Sequence, residues 1–269
     1  MAEFKTKQGM KISVSFKQGN HTKKPFVFIH GNAQNDTSGK VLMDAFYKKG
    51  HTVLSYDLPG HGDSESYSDT YPDDKVTMDT FAETLNEILS HFKIDKPIIA
   101  GHSMGGMILL EFGVRYPEKV GALILIDTSD ISPVDANKQI PLKDIINNII
   151  ENCGKAFEKR FKYDYYTSTE INEENILGVG FKSTDPVSLQ LNFKATFNYD
   201  VTKKLSLLNM PILILRGKDD PLMTKEMTEN MHKRIPHSKF VEVEGGHNWF
   251  LFNKKLAKEI LEKNYGLFE

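Results

Sequence analysis

The sequence predicts an α/β protein in which a mostly parallel sheet is flanked by helices. The first observation is a series of short, continuously apolar runs, including 26–29, 122–126 and 211–215, which are typical of strands buried on both faces. The second is that segments with apolar residues at helical spacing alternate with these runs. The third is a long interruption of this alternation between residues 131 and 207, which predicts a helical insertion.

The N-terminal half accounts for five of the predicted strands. Residues 11–16 alternate in polarity after Gly9, which predicts a hairpin with residues 3–7. Apolar residues at helical spacing predict two helices, and Thr77 is placed to cap the second of them. The remaining elements predicted here are strands at 26–29, 52–56 and 97–100 and helices at 40–48 and 78–92.

The C-terminal half begins with the strand at 122–126, the sixth in the chain. The insertion that follows predicts four short helices, at 142–150, 155–166, 173–181 and 186–198. The α/β alternation then resumes with strands at 211–215 and 239–243 and helices at 224–234 and 253–263. We therefore expect a core domain made of residues 1–130 and 208–269, and a helical cap made of residues 131–207.

Composition limits the classes of function. The 269 residues carry a formal net charge of −2, so there is no basic excess for nucleic acid or an anionic membrane, and neither is expected as a partner. A single cysteine, Cys153, excludes a disulfide within the chain. No secretory signal pattern and no apolar run of transmembrane length are present, so a cytoplasmic protein is expected.

The segment Gly101-His102-Ser103-Met104-Gly105 is the most informative motif in the chain. It lies between the strand-like run 97–100 and the helix-like run 107–110, and this context is typical of a nucleophile elbow. The elbow would hold the Ser103 hydroxyl clear of the sheet. It would also direct the Met104 amide toward a developing oxyanion. The alternative is an ordinary strand-to-helix turn, because glycine and serine are common residues.

A catalytic serine needs a base to accept its proton and an acid to orient that base. His247 follows a strand and the turn Gly245-Gly246, which predicts the base, whereas the alternative is a histidine exposed on a loop. Three carboxylates are candidates for the acid. Asp220 precedes a proline after the strand at 211–215, Asp219 is its neighbour, and Asp127 follows the strand at 122–126.

The second oxyanion donor is expected from the loop after the first buried strand. His30-Gly31-Asn32 lies there, so the backbone amide of Asn32 would join that of Met104. Three other histidines lie inside turn motifs, and we expect them to brace loops through hydrogen bonds without taking part in the chemistry. They are His30, His61 and His102.

The chain resembles the α/β-hydrolase superfamily over essentially its whole length, and most strongly its esterase, BioH-like and meta-cleavage-product hydrolase group. The resemblance rests on five motifs in order: His30-Gly31, Asp57-Leu58-Pro59-Gly60-His61-Gly62-Asp63-Ser64, Gly101-His102-Ser103-Met104-Gly105-Gly106, Gly217-Lys218-Asp219-Asp220-Pro221 and Gly246-His247. It implies the α/β-hydrolase fold, with a helical cap inserted after the sixth strand. It also implies that Asp220, three residues after Gly217, is the acid.

The resemblance also narrows the chemistry. Haloalkane dehalogenases and epoxide hydrolases of this fold carry an aspartate where Ser103 stands, so both are set aside. Cofactor-free haloperoxidases share the triad and are not excluded by it.

The predicted cap is rich in aromatic residues. We expect most of them to pack the cap onto the core and the rest to line an apolar pocket. They are Phe157, Phe161, Tyr163, Tyr165, Tyr166, Phe181, Phe193, Phe197 and Tyr199.

The function expected from these features is a serine carboxylic-ester hydrolase acting on small to medium acyl esters through an acyl-enzyme. Ser103, Asp220 and His247 would form the triad, and the amides of Asn32 and Met104 the oxyanion hole. The partner would be a small acyl substrate, and the chemistry requires no metal or organic cofactor. The alternatives are a thioesterase, an N-acyl-homoserine lactonase, a carbon–carbon bond hydrolase or a slow-turnover ligand receptor.

Overall fold

The core of the protein is a single eight-stranded sheet. A computed structural model describes residues 2–68, 72–133, 184–197 and 199–269. Each strand predicted from the sequence is present, with ends shifted by at most a few residues. In chain order they are β1 (Ala2–Lys5), β2 (Lys11–Lys17), β3 (Phe26–Ile29), β4 (Val53–Tyr56), β5 (Ile98–His102), β6 (Ala122–Ile126), β7 (Ile212–Gly217) and β8 (Lys239–Val243).

The spatial order of the strands is β1-β2-β4-β3-β5-β6-β7-β8. β2 pairs with both β1 and β4 in antiparallel fashion, and every pair from β4 to β8 is parallel. In a parallel sheet the carboxyl ends of the strands lie at one edge, and the loops that leave β3, β5, β6, β7 and β8 therefore meet there. Sites in open α/β sheets form at this edge.

Helices cover both faces of the sheet. Those of the described residues are α1 (Lys40–Lys48), α2 (Met78–His91), α3 (Met104–Arg115), α4 (Pro186–Lys194), α5 (Lys225–Arg234), α6 (Trp249–Phe252) and α7 (Lys254–Asn264). Apolar residues of α2, α3 and α5 form one buried cluster with the sheet, and those of α1, α6 and α7 form a second. None of these helices is long and apolar enough to cross a membrane.

The division into two clusters follows from the period of a strand. Successive side chains point to opposite faces, so Val27 belongs to one cluster and its neighbour Phe28 to the other. Both faces are covered, which explains why the central strands read as continuous apolar runs. Thr77 is the N-cap residue of α2, as predicted, because its side chain accepts a hydrogen bond from the Thr80 amide.

The segment between β6 and β7 interrupts the alternation, as predicted. The helices expected at 142–150, 155–166 and 173–181, and Cys153, lie outside the described residues, so the limits of the cap stay a prediction. The last α-helix of the insertion is α4, and it is shorter than the expected 186–198. It ends because the Thr196 amide bonds back to the carbonyl of Phe193, three residues earlier, which tightens the chain into a turn.

The helix α4 is docked on the loop that follows β4. The Asp185 amide donates to the carbonyl of Gly60, and the Tyr67 amide donates to the hydroxyl of Ser188. A side chain at position 60 would not fit, because a Cβ there would lie 1.9 Å from that of Ser188. These contacts hold the end of the insertion against the edge of the sheet where the loops meet.

Candidate active site

Ser103 lies at the tight turn between β5 and α3, with φ of 52° and ψ of −120°. A positive φ with this ψ is a conformation that a residue with a side chain rarely adopts, and such strain is typical of functional positions. Glycines permit the turn, since a Cβ at Gly101 would lie 2.6 Å from the carbonyl oxygen of Gly105. The turn is also braced, because the Thr128 hydroxyl donates to the carbonyl of Ser103 at 2.7 Å. The strained geometry favours an elbow over an ordinary turn.

The loop after β3 packs directly against this elbow. A Cβ at Gly31 would lie 3.1 Å from that of Ser103, and one at Gly105 would lie 2.6 Å from the carbonyl oxygen of His30. Asn32, next in the chain, is therefore brought to the elbow. Met104 begins α3, and an amide in the first turn of a helix has no acceptor within that helix. The two predicted oxyanion residues thus belong to backbone segments in contact.

Asp220 and His247 are brought together from separate loops. The His247 Nδ1–H donates to Oδ2 of Asp220 at 2.8 Å, and the Asp220 side chain is fully buried. The second oxygen, Oδ1, accepts from the amides of Leu222 and Met223. Burial opposes ionisation of Asp220, but the hydrogen bond and charge of His247, with the two amides, lower the pKa of the carboxyl below its usual value.

The other two acid candidates lie in different environments. Asp219 is exposed, and its amide donates to the carbonyl of Gly245. The Asp127 carboxyl group accepts, through Oδ1, a hydrogen bond from the amide of Gly217 at 2.6 Å. Among the described residues, only the Asp220 carboxylate receives the imidazole N–H of His247.

His102 joins the elbow to the histidine loop. Its Nε2–H donates to the carbonyl of His247 at 2.7 Å, and the two rings lie 4.8 Å apart. Burial, followed by the charge of His247, lowers the pKa of His102 to about 3, so its imidazole is neutral at physiological pH. The residue before the nucleophile thus fixes the backbone of the residue expected to act as the base.

The buried histidines His30 and His61 brace loops, as expected. His30 Nε2 accepts from the Leu58 amide at 2.9 Å, and His61 Nε2 accepts from the Ala33 amide at 3.1 Å. A nitrogen that accepts an amide proton carries none itself, so both rings must be neutral. Burial supports this, since it lowers the pKa of His61 to about 4 and that of His30 well below its ordinary value.

Three contributors to the site were missed in the sequence: Gln34, Thr128 and Arg216. The Gln34 side chain accepts from the amide of Gly31 and donates to Asn248, so it connects the loop after β3 with the histidine loop. The buried Arg216 guanidinium donates to the carbonyls of Asp220 and Met223. A charged residue ending the apolar run of β7 was a signal for Arg216, whereas Gln34 and Thr128 gave none.

The described residues hold no group of three or more His, Cys, Asp or Glu side chains that could bind a metal ion.

A sequence model of the alpha/beta hydrolase fold matches residues 24–254, which is most of the chain. The chain belongs to the alpha/beta hydrolase fold family. The fold and family implied by the five motifs are therefore confirmed.

Relatives of this alpha/beta hydrolase have several activities. It is 27% identical over 227 residues to a pimeloyl-acyl-carrier-protein methyl ester esterase of Wigglesworthia glossinidia brevipalpis, covering 78% of this chain and 83% of that protein. It is 26% identical over 246 residues to a 2-hydroxy-6-oxononadienedioate/2-hydroxy-6-oxononatrienedioate hydrolase of Paraburkholderia phymatum, covering 86% and 83%. A solved carboxylesterase structure from Nitrososphaera gargenis superposes with a TM-score of 0.80 at 20% identity, covering 99% and 98% of the two chains.

The neutral state of His61 predicts a pH dependence of folding stability. Its pKa is about 4 in the folded hydrolase and about 6.5 in an unfolded chain, so between these values only the unfolded chain binds the proton. The free energy of unfolding is therefore lowered by His61 as pH falls from about 6.5 toward 4. His61→Gln should make the pH slope shallower by up to about 1.4 kcal/mol per pH unit.

Urea unfolding of the wild type and of His61→Gln between pH 4.5 and 7 measures this slope. His21 is exposed, so His21→Gln is the matched control and should leave the slope unchanged. Equal slopes for the wild type and His61→Gln would show that His61 takes up its proton in the folded state.

Proposed function

We propose that this protein is a serine carboxylic-ester hydrolase that cleaves small to medium acyl esters through an acyl-enzyme intermediate. The observation that carries the proposal is the 2.8 Å hydrogen bond from His247 to a fully buried Asp220, together with a serine held at positive φ in the turn after β5. An acid, a base and a strained serine at the carboxyl edge of one sheet are the parts that acyl transfer requires.

Each residue of the proposed triad has a role that follows from its surroundings. Ser103 attacks the acyl carbon, and the Nε2 of His247 takes the hydroxyl proton. Asp220 accepts the Nδ1–H, which holds the imidazole in the tautomer that leaves Nε2 free. The ionised Asp220 also stabilises the imidazolium that forms, and His247 then returns the proton to the leaving alcohol. A water molecule, deprotonated by His247, then attacks the acyl-enzyme, and His247 returns the proton to Ser103 as the carboxylic acid product leaves.

The oxyanion of the tetrahedral intermediate would be bound by the backbone amides of Met104 and Asn32. Amides preorganised in a buried environment stabilise charge that develops in the transition state without having to reorient. Contact of Gly31 with Ser103 keeps the Asn32 segment in place. The bond from the Ala33 amide to His61 further fixes that segment. Neither the proposed triad nor the proposed oxyanion hole needs a metal ion or an organic cofactor.

The relatives support this chemistry at a coarser level. One of them is named as a methyl ester esterase and another as a 2-hydroxy-6-oxononadienedioate/2-hydroxy-6-oxononatrienedioate hydrolase, so a carbon–carbon bond hydrolase is the second candidate. The partner that we propose for this protein is a small-molecule acyl substrate. The two reactions are distinguished by assaying a p-nitrophenyl ester beside a 2-hydroxy-6-oxo-dienoate. The cytoplasm is the compartment that we propose, from the sequence features above.

The triad proposal predicts a specific ranking of variants. Ser103→Ala should lower kcat for p-nitrophenyl butyrate by about 10⁴- to 10⁶-fold, and Asp220→Asn by up to about 10⁴-fold because the imidazole tautomer is no longer fixed. Asp219→Asn is the matched control, since Asp219 is exposed, and it should retain activity. Steady-state kinetics with circular dichroism as a folding check measures this. A crippled Asp219→Asn beside an active Asp220→Asn would overturn the assignment of the acid.

The acyl specificity is expected to depend on the end of the insertion. Phe193 and Phe197 contact each other with ring centroids 5.3 Å apart, beside the α4 residue Asn192 that donates to the carbonyl of Pro59. Phe193→Ala and Phe197→Ala should shift the preferred acyl length, because each methylene in an apolar pocket contributes about 1–3 kcal/mol.

The measurement is kcat/KM across p-nitrophenyl esters from acetate to octanoate. Phe16→Ala is the control, because Phe16 lies on β2 and is 37% exposed. An unchanged profile in both cap variants would mean that these two rings only pack against each other.

A further inference from the structure

Asp127 is a second buried carboxyl beside the proposed triad, and nothing in the mechanism above uses it. It follows β6 directly, its side chain is excluded from solvent, and its φ of 44° is in the left-handed region. Its Oδ1 accepts from the amide of Gly217 at 2.6 Å. Its Oδ2 is buried and receives no donor from any described residue. A buried carboxylate oxygen without a donor is costly, so its state needs a physical explanation.

The explanation lies in the neighbouring Asp220. Burial, then the charge of Asp220 and, with a smaller effect, a hydrogen bond between the two side chains, raise the pKa of Asp127. Two ionised carboxylates only accept hydrogen bonds, so a bond between these side chains would require one proton on the pair. A proton on Asp127 would also account for its buried oxygen without a donor. Oδ1 of Asp127 is already occupied by the Gly217 amide, which leaves Oδ2 as the atom that can carry the proton.

The surroundings decide which of the two acids is protonated. Asp220 receives three donors, from His247 and from the amides of Leu222 and Met223, and each of them favours its ionised form. Among the described residues, Asp127 receives one donor, the amide of Gly217. Burial and then the charge of Asp220 raise the pKa of Asp127 well above its ordinary value. The positive charge of Arg216 lowers this pKa, but its effect is smaller and does not reverse the shift.

We propose that Asp127 is a positioning residue for the triad. Its carboxyl group stays protonated and donates its Oδ2–H to the Asp220 carboxylate. The proposal rests on the proposed function, because Asp127 would act through Asp220 and His247 without touching substrate. One proton on the pair leaves a single negative charge facing the imidazole. A second charge would hold the proton more tightly on His247 and so remove the free base.

Asp127 also fixes the position of the acid. The Gly217 amide that it binds belongs to the turn in which the Asp220 amide donates back to the carbonyl of Gly217. The carboxyl thus holds both the backbone of this turn and the side chain at its end. Asparagine can do the same, since its amide nitrogen donates, its oxygen accepts, and it tolerates the left-handed conformation.

The kinetic test compares Asp127→Asn with Asp127→Ala. Asp127→Asn should keep kcat/KM within about threefold of the wild type and leave the acid limb of the pH profile in place, because the charge of the site is unchanged. Asp127→Ala should lower kcat by about 10- to 100-fold with KM nearly constant, since a hydrogen bond to a charged group is lost. An Asp127→Asn variant as inactive as Asp220→Asn, or with a shifted acid limb, would overturn the proposal. So would an Asp127→Ala variant with wild-type kcat.

A second measurement does not depend on turnover. The infrared difference spectrum of the wild type minus Asp127→Asn at pH 7 should contain the carbonyl stretch of a protonated carboxylic acid. The spectrum of the wild type minus Asp219→Asn should lack it. Carboxylate bands in place of the acid band would overturn the proposal. A protonated Asp127 in a protein that cleaves no ester would instead refute the proposed function alone, so the two failures are distinguishable.

Discussion

The hydrogen bond from His247 to the buried Asp220 carboxylate is the interaction on which the rest of the site depends. The two residues lie on loops after β7 and β8, and a bond of 2.8 Å requires both loops to be held closely. The backbone achieves this, because the amides of Lys218 and Asp219 donate to the carbonyls of Val243 and Gly245. No side chain would fit between them: a Cβ at Gly217 would lie 2.5 Å from the carbonyl of Gly246.

A second constraint is that the groups around the site are buried in defined protonation states. His30, His61 and His102 are held neutral, and two of them accept amide protons that a charged ring would repel. One charge remains on the acid side, on Asp220. Burial of neutral groups costs little when their hydrogen bonds are satisfied, and it leaves a low dielectric in which the remaining charge acts strongly. Neutral histidines around one carboxylate, with the Arg216 guanidinium bonded to the backbone of the acid loop, suit an imidazole that must gain and lose a proton.

Much of the fold and part of the site could be predicted from the sequence, because both depend on local patterns. Strands buried on both faces give continuous apolar runs, and the elbow needs small residues at fixed spacing around Ser103. The choice between Asp219 and Asp220 could not be made from local pattern, since it depends on which side chain turns inward beside another loop. Gln34 and Thr128 gave no signal for the same reason: their partners, Asn248 and the Ser103 carbonyl, are distant in sequence.

The central claim is that Ser103 is a nucleophile activated by His247. The most direct measurement is reaction of the folded protein with a fluorophosphonate, followed by mass spectrometry of the intact protein and of its peptides. We predict a single adduct, on Ser103, formed quickly by the wild type and far more slowly by Asp220→Asn, because the serine reacts only when the imidazole is oriented to take its proton. Labelling of another residue, or equal rates for the two proteins, would contradict the claim.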